Sequence, residues 1–152
     1  MALNSRTFFG TTFLVFIIDQ LTKQWAQTVT TNVPIIPDVL HLRLVWNTGA
    51  VFGILKNTNI LLSIITIIAV TAIIVFRQRI IHDRNESIAW GAIVGGGLGN
   101  LTNRLMYGAV IDFIDFRIWP AFNIADTAIT CSIIYLIAKE TFLTRHKKKK
   151  KA

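Results

Sequence analysis

Histidine, cysteine and acidic side chains are scarce in this chain, and each scarcity removes a class of chemistry. The one cysteine, Cys131, lies in an apolar run and excludes an intrachain disulfide. Three histidines, with no HExxH and no Cys/His cluster, offer no zinc-type ligand set. Charged residues make up 16% of the sequence, against roughly a quarter in soluble domains. Basic and aromatic residues are not interleaved as a nucleic-acid surface would require. What the chain has in quantity is apolar residues, 53% of the total, collected in long runs. That pattern is an integral membrane protein, and 152 residues give room for one domain spanning 1–152.

A helix crosses a bilayer core of about 30 Å with about 20 mainly apolar residues. Four stretches meet that requirement, at about 7–26, 59–76, 88–106 and 122–140. The expected fold is therefore an all-α membrane protein of four transmembrane helices. Arg77, Arg79 and Arg84 fall between the second and third spans, Arg6 precedes the first, and a basic tail, 141–152, follows the last. Basic residues collect on the cytoplasmic side, so both termini are expected there and the two longer loops outside. The net charge of +8 comes largely from that tail, which would lie on the anionic cytoplasmic leaflet. A cleaved leader is not expected, because Asp19 interrupts the first apolar run and no A-x-A site follows.

The first external loop carries a small extracytoplasmic β element. Leu40, Leu42, Leu44 and Trp46 alternate with His41, Arg43, Val45 and Asn47, a period of two. The strand runs into NTGAVFG, whose Gly49 and Gly53 suggest a tight turn or close backbone approach. A free strand edge there could receive an extended peptide.

Polar residues fall at one depth. Asp19 is thirteen residues beyond Arg6, Asn100 thirteen beyond Ser87, and Asp126 thirteen before Lys139. At about 1.5 Å per residue each lies roughly 20 Å from the cytoplasmic end. Ionisable groups inside a membrane mark function by default. Two plainer readings stand beside that one: Asp126 caps a helix beginning near Asn123, and Asp19 pairs with Lys23 at i+4. Gly91, Gly95 and Gly99 clear one face of the third span for a neighbour. Beyond them Arg104 either snorkels to headgroups or holds an anion.

With His82 and His146 inside, His41 is the lone external histidine and a Ser-His pair has no base. Carboxylates remain: Asp112 and Asp115 in VIDFID, and Asp126. Two neighbouring carboxyls cannot both ionise readily, so one keeps its proton while the other activates water. Asp126 is the preferred partner of Asp112 on depth, with Asp115 the rival, three residues along and facing the other way if the chain is extended. A different class of protein, a small ion conductor relaying protons through Asp19 and Asp126, would need a polar path to the cytoplasmic side. A third, an assembly subunit built on the glycine face, would leave Asp112 without a role.

The blocks DQLTK (Asp19 to Lys23), NTGAVFG (Asn47 to Gly53), GNLTNR (ending at Arg104), VIDF (around Asp112) and FNIADT (Phe122 to Thr127) occur in that order along nearly the whole chain. In them the sequence resembles the lipoprotein signal peptidases (signal peptidase II), aspartyl proteases of the bacterial inner membrane. The resemblance implies a catalytic dyad of Asp112 and Asp126. It also implies cleavage of prolipoproteins just before a diacylglyceryl-bearing cysteine, by a monomeric enzyme in contact with membrane phospholipid. Asp19, Lys23, Asn47, Gly49, Asn100, Arg104 and Asn123 match polar or shaping positions of that family's site. No metal or organic cofactor is required, and no nucleic acid is a partner. One departure is Asn103, where the family usually carries aspartate; an asparagine hydrogen-bonds but accepts no ion pair.

Overall fold

Three of the four long helices carry charged or amide side chains within their apolar length, and the fold is arranged so that those side chains face each other. The computed structural model describes residues 2–28, 32–49 and 58–149. Its elements are α1 (Ala2–Thr28), β1 (Val33–Ile36), β2 (Leu40–Asn47), α2 (Asn59–Ile80), α3 (Arg84–Tyr107), β3 (Val110–Asp115) and α4 (Ile124–Lys149).

The helix α3 is the centre of the bundle and packs against α1, α2 and α4. Its glycines make that possible. A Cβ on Gly91 or Gly95 would come within 2.5 Å of the Phe8 or Thr12 carbonyl oxygen of α1, and one on Gly99 would overlap the Asp19 carboxylate. The stripe read in the sequence is thus the α1 contact, close enough to press backbone against backbone. Phe8, Val70 and Val94 form a small apolar core where α1, α2 and α3 meet. At the end of α3 that begins with Arg84, Asp83 caps the helix by accepting from the Glu86 amide at 2.9 Å. Lys139 of α4 closes the same end through ion pairs with Asp83 and with Glu86, the latter at 2.7 Å. The other end of α3 stops at Gly108, whose φ of 68° is the left-handed conformation glycine adopts freely.

Many large apolar side chains point outward, among them Phe13, Ile60, Leu105 and Ile134, as lipid-facing residues do. By length and composition, however, α2 is the one helix among the described residues apolar enough to qualify as a crossing without further argument. The other three fall short because they carry the polar residues discussed below. Each helix is also longer than the span expected for it, and α4 continues through the basic segment to Lys149 instead of releasing it as a tail. Lys150 and Lys151 lie outside the described residues.

The β element is larger than its sequence signal. It is a three-stranded antiparallel sheet ordered β1-β2-β3, and β3 comes from the segment between α3 and α4. β2 is consequently the central strand, and the free edge expected of it is occupied on both sides. On its far side β3 is closed at Ile114, which exchanges backbone hydrogen bonds with Phe122 at 2.9 and 3.0 Å. The register opposes Val45 to Asp112 and Asn47 to Val110, which sets the NTG segment beside VIDF. Gly53 and the rest of that glycine turn after Gly49 lie outside the described residues.

Candidate active site

The site is built around the first turn of α4. Asn123 is its N-cap: the Asn123 Oδ1 accepts from the Asp126 amide at 2.9 Å, and the Asp126 Oδ2 accepts from the Asn123 amide at 3.2 Å. This reciprocal pair is a capping box with amide and carboxylate in place of the usual Ser and Glu. The helix-capping reading of Asp126 is therefore correct, and it does not compete with a functional one. The other Asp126 oxygen, Oδ1, accepts from the Asn100 Nδ2 at 2.8 Å and lies in a cleft of about 540 Å³.

Asp112 lines the same cleft from β3 and is 1% exposed. Its two oxygens accept from two different amides, Asn47 Nδ2 at 2.9 Å and Asn123 Nδ2 at 2.7 Å. Asn123 thus touches both carboxyls, Asp112 with its side chain and Asp126 with its backbone N–H. Burial, and then the negative charge of Asp126, push the Asp112 carboxyl up to about 7. Two more polar residues complete the network. The Lys23 ammonium donates to the Asn100 Oδ1 at 2.8 Å and pairs with Asp19 at 2.8 Å. Asp19 in turn accepts from the Ala125 amide of α4 at 3.0 Å. The residues placed at one depth by counting along three helices do meet.

Gly49 and Arg104 also line the cleft. The Gly49 amide donates to the Asn47 Oδ1 at 3.1 Å, a local turn that orients the amide reaching Asp112. Formal charges around the site are three carboxyls (Asp19, Asp112, Asp126) against two cations (Lys23, Arg104). One shared proton on the Asp112–Asp126 pair brings that set to neutrality, the state a buried site favours.

Asp115 is not part of the cleft. It pairs with the Arg43 Nε at 2.9 Å and accepts from the Arg117 amide at 2.8 Å. Burial raises its carboxyl, but the Arg117 amide and the Arg43 charge outweigh that and leave it below the ordinary range. Of the two rivals, Asp126 lines the cleft with Asp112 and Asp115 does not.

Sequence reading passed over Gln20. Its amide donates to Asp19 at 3.0 Å and to the Gly99 carbonyl at 3.1 Å, and it accepts from Asn103 at 3.5 Å. Asn103 accepts from the Ile111 amide at 3.4 Å. The asparagine that departs from the resembled family's aspartate therefore steadies the strand one residue before Asp112. Gln20 sits beside Asp19 within an apolar run, and that position was its available signal.

Comparison with known proteins gives the family and the fold. A family described as signal peptidase (SPase) II matches residues 11–142. The lipoprotein signal peptidase of Halothermothrix orenii is 37% identical over 127 residues, covering 82% of this chain and 88% of the relative. That of Pelotomaculum thermopropionicum is 38% identical over 128 residues, covering 81% and 84%. A solved bacterial membrane enzyme superposes with a TM-score of 0.82 at 33% identity, covering 93% of this chain and 91% of that one.

Proposed function

Because this chain belongs to the signal peptidase II family, we propose that it removes signal peptides from diacylglyceryl-modified prolipoproteins through a water activated by Asp112 and Asp126. Membership makes it a protease of a bacterial membrane and sets aside the conducting and assembly readings. The observation that carries the mechanism is the cleft itself: two carboxyls from separate elements, bridged by Asn123, with one proton fewer than two by charge balance.

In the reaction the ionised carboxyl takes a proton from water as the water oxygen attacks the scissile carbonyl. The protonated carboxyl donates to the carbonyl oxygen, giving a neutral tetrahedral intermediate. As the C–N bond breaks, the leaving cysteine amine takes the proton of the protonated carboxyl while a hydroxyl of the intermediate gives its proton to the ionised one, so the dyad ends with one proton again. Asn47, Asn100 and Asn123 hold the carboxyl planes, while Lys23 with Asp19 fixes Asn100. Arg104 offsets the remaining negative charge.

Four crossings place this chemistry near the outer face. The helices have 27, 22, 24 and 26 residues, each long enough at about 1.5 Å per residue for a core of about 30 Å. Turned inward, Asp19 and Lys23 are 0% and 1% exposed, so they need not prevent α1 from crossing. The basic ends of α2 and α4 then lie in the cytoplasm, with both termini, and the cleft opens outward. The substrate's lipid chains remain in the outer leaflet, which puts its modified cysteine at the same level. Among the described residues α2 does not meet α4, and Thr130 and Cys131 continue the cleft wall down α4. That side admits a substrate directly from the bilayer. The enzyme is proposed to work as a monomer.

The test is cleavage of a diacylglyceryl prolipoprotein by purified protein. Asp112→Asn and Asp126→Asn are each expected to lose at least about a thousandfold in kcat, with substrate binding retained. Wild-type turnover by Asp126→Asn would refute the dyad.

A further inference from the structure

The end of the bundle remote from the carboxylates holds a second cavity. It lies where the start of α1 meets the end of α2, and Asn4, Ser5, Phe8, Arg77, Gln78 and Ile81 line it. Its volume is about 60 Å³, room for a small polar group rather than a whole lipid. An arginine at a helix end needs no special explanation when it reaches out to headgroups, as exposed Arg79 can. Arg77 does something else. It is half-buried and turned back: Nη1 donates to the Ile74 carbonyl at 2.7 Å and the guanidinium lies 5.5 Å from the centre of the Phe9 ring. Its Nε is buried and has no hydrogen-bond partner among the described residues.

A buried donor without an acceptor is costly, and no ion pair compensates the Arg77 charge among the described residues. With Nη1 on the Ile74 carbonyl and Nε enclosed, Nη2 is the nitrogen left for an anionic oxygen. Asn4, Ser5 and Gln78 add uncharged donors, and among the described residues no carboxylate lines the cavity. The nearby acids, Asp83 and Glu86, are already engaged by Lys139. Exposed Phe9, Phe13, Val75 and Phe76 extend apolar surface away from the cavity along α1 and α2, where acyl chains would lie. We infer that this cavity binds the phosphodiester of an anionic phospholipid, with Arg77 as the charged anchor and Ser5 and Asn4 as hydrogen-bond donors. On the topology given above, it reads the cytoplasmic leaflet.

The experiment follows the thermal midpoint of the purified full-length protein in detergent as short-chain phosphatidylglycerol, short-chain phosphatidylcholine or inorganic phosphate is added. A ligand for the folded state raises the midpoint by mass action. Phosphatidylglycerol is expected to act at about tenfold lower concentration than phosphatidylcholine, with inorganic phosphate weaker than either. Arg77→Gln should weaken the phosphatidylglycerol response about tenfold, and Arg79→Gln should leave it intact. Should Arg77→Gln fold poorly, Ser5→Leu fills the cavity without touching the guanidinium and is expected to cause the same loss. Equal responses to the two lipids, an equal response to inorganic phosphate, or an unaltered response in both cavity variants overturns the assignment. Prolipoprotein cleavage is expected to persist in all these variants, so loss of lipid binding and failure of the peptidase reading are separately visible.

Discussion

Asp112 and Asp126 differ in what holds them, and that difference sets the pH behaviour. Asp112 is buried on a strand beside a second carboxyl, and its proton leaves near pH 7. Activity that requires one shared proton should therefore fall as pH rises through about 7, with the apparent value belonging to the pair. The stability sign is the same. The ordinary carboxyl value is 3.8, so between about pH 4 and 7 the folded protein holds a proton that the unfolded chain has released, and stability declines with rising pH. Asp112→Asn should flatten that decline, measured as midpoint against pH; an unchanged slope would place the raised group elsewhere. At this scale the sequence was informative about ionised groups, because a charge in an apolar run is conspicuous. Asp19 with Lys23 was legible for that reason, and depth counting along the helices brought Asp126 to the cleft that Asp112 also lines. Gln20 and Asn103 were not, because a neutral amide donates or accepts equally well and their partners lie up to 83 residues away in the chain.

Among the elements, α3 carries the tightest constraint. A Cβ at Gly95 meets the Thr12 carbonyl oxygen at 2.5 Å, and backbone cannot step aside. At Gly97 the nearest atom is the Val70 Cγ2 at 3.2 Å, a side chain that can adjust. Gly95→Ala is expected to cost about 2 kcal/mol or more, by overpacking, and Gly97→Ala less than half of that. Thermal denaturation in one detergent decides, and equal losses would mean that the α1 contact is loose. The glycine stripe was legible from spacing alone. The third strand was not. VIDFID is buried on both faces for almost its whole length, so the alternation that revealed β2 is missing, and only its pairing with β2 defines it as a strand. That pairing also explains why β2, legible as a strand, was misplaced at an edge.

The molecule as a whole divides its charges between its ends. The site carboxylates and amides, with Lys23 and Arg104, gather where α3 finishes and α4 begins, while Arg77, Arg79, Arg84 and Lys139 occupy the opposite end, where Asp83 and Glu86 are paired with Lys139. With the basic end in the cytoplasm, trypsin added to intact spheroplasts should leave the C-terminal lysines uncut, and the same treatment of inverted vesicles should remove them. The reverse pattern would invert the topology. The four apolar runs read in the sequence are four long helices, but among the described residues only α2 qualifies as a crossing by hydropathy, since polar side chains in the other three dilute the signal that marks one. The capping box at Asn123 carries a consequence for biosynthesis. Asp126 belongs to a helix made after the other three, and its carboxyl joins Asp112 around Asn123 only when that helix has wound its opening turn against α3. On the proposed mechanism, a chain whose fourth helix is still unmade holds one aspartate without its mate and stays silent in the membrane until α4 has docked.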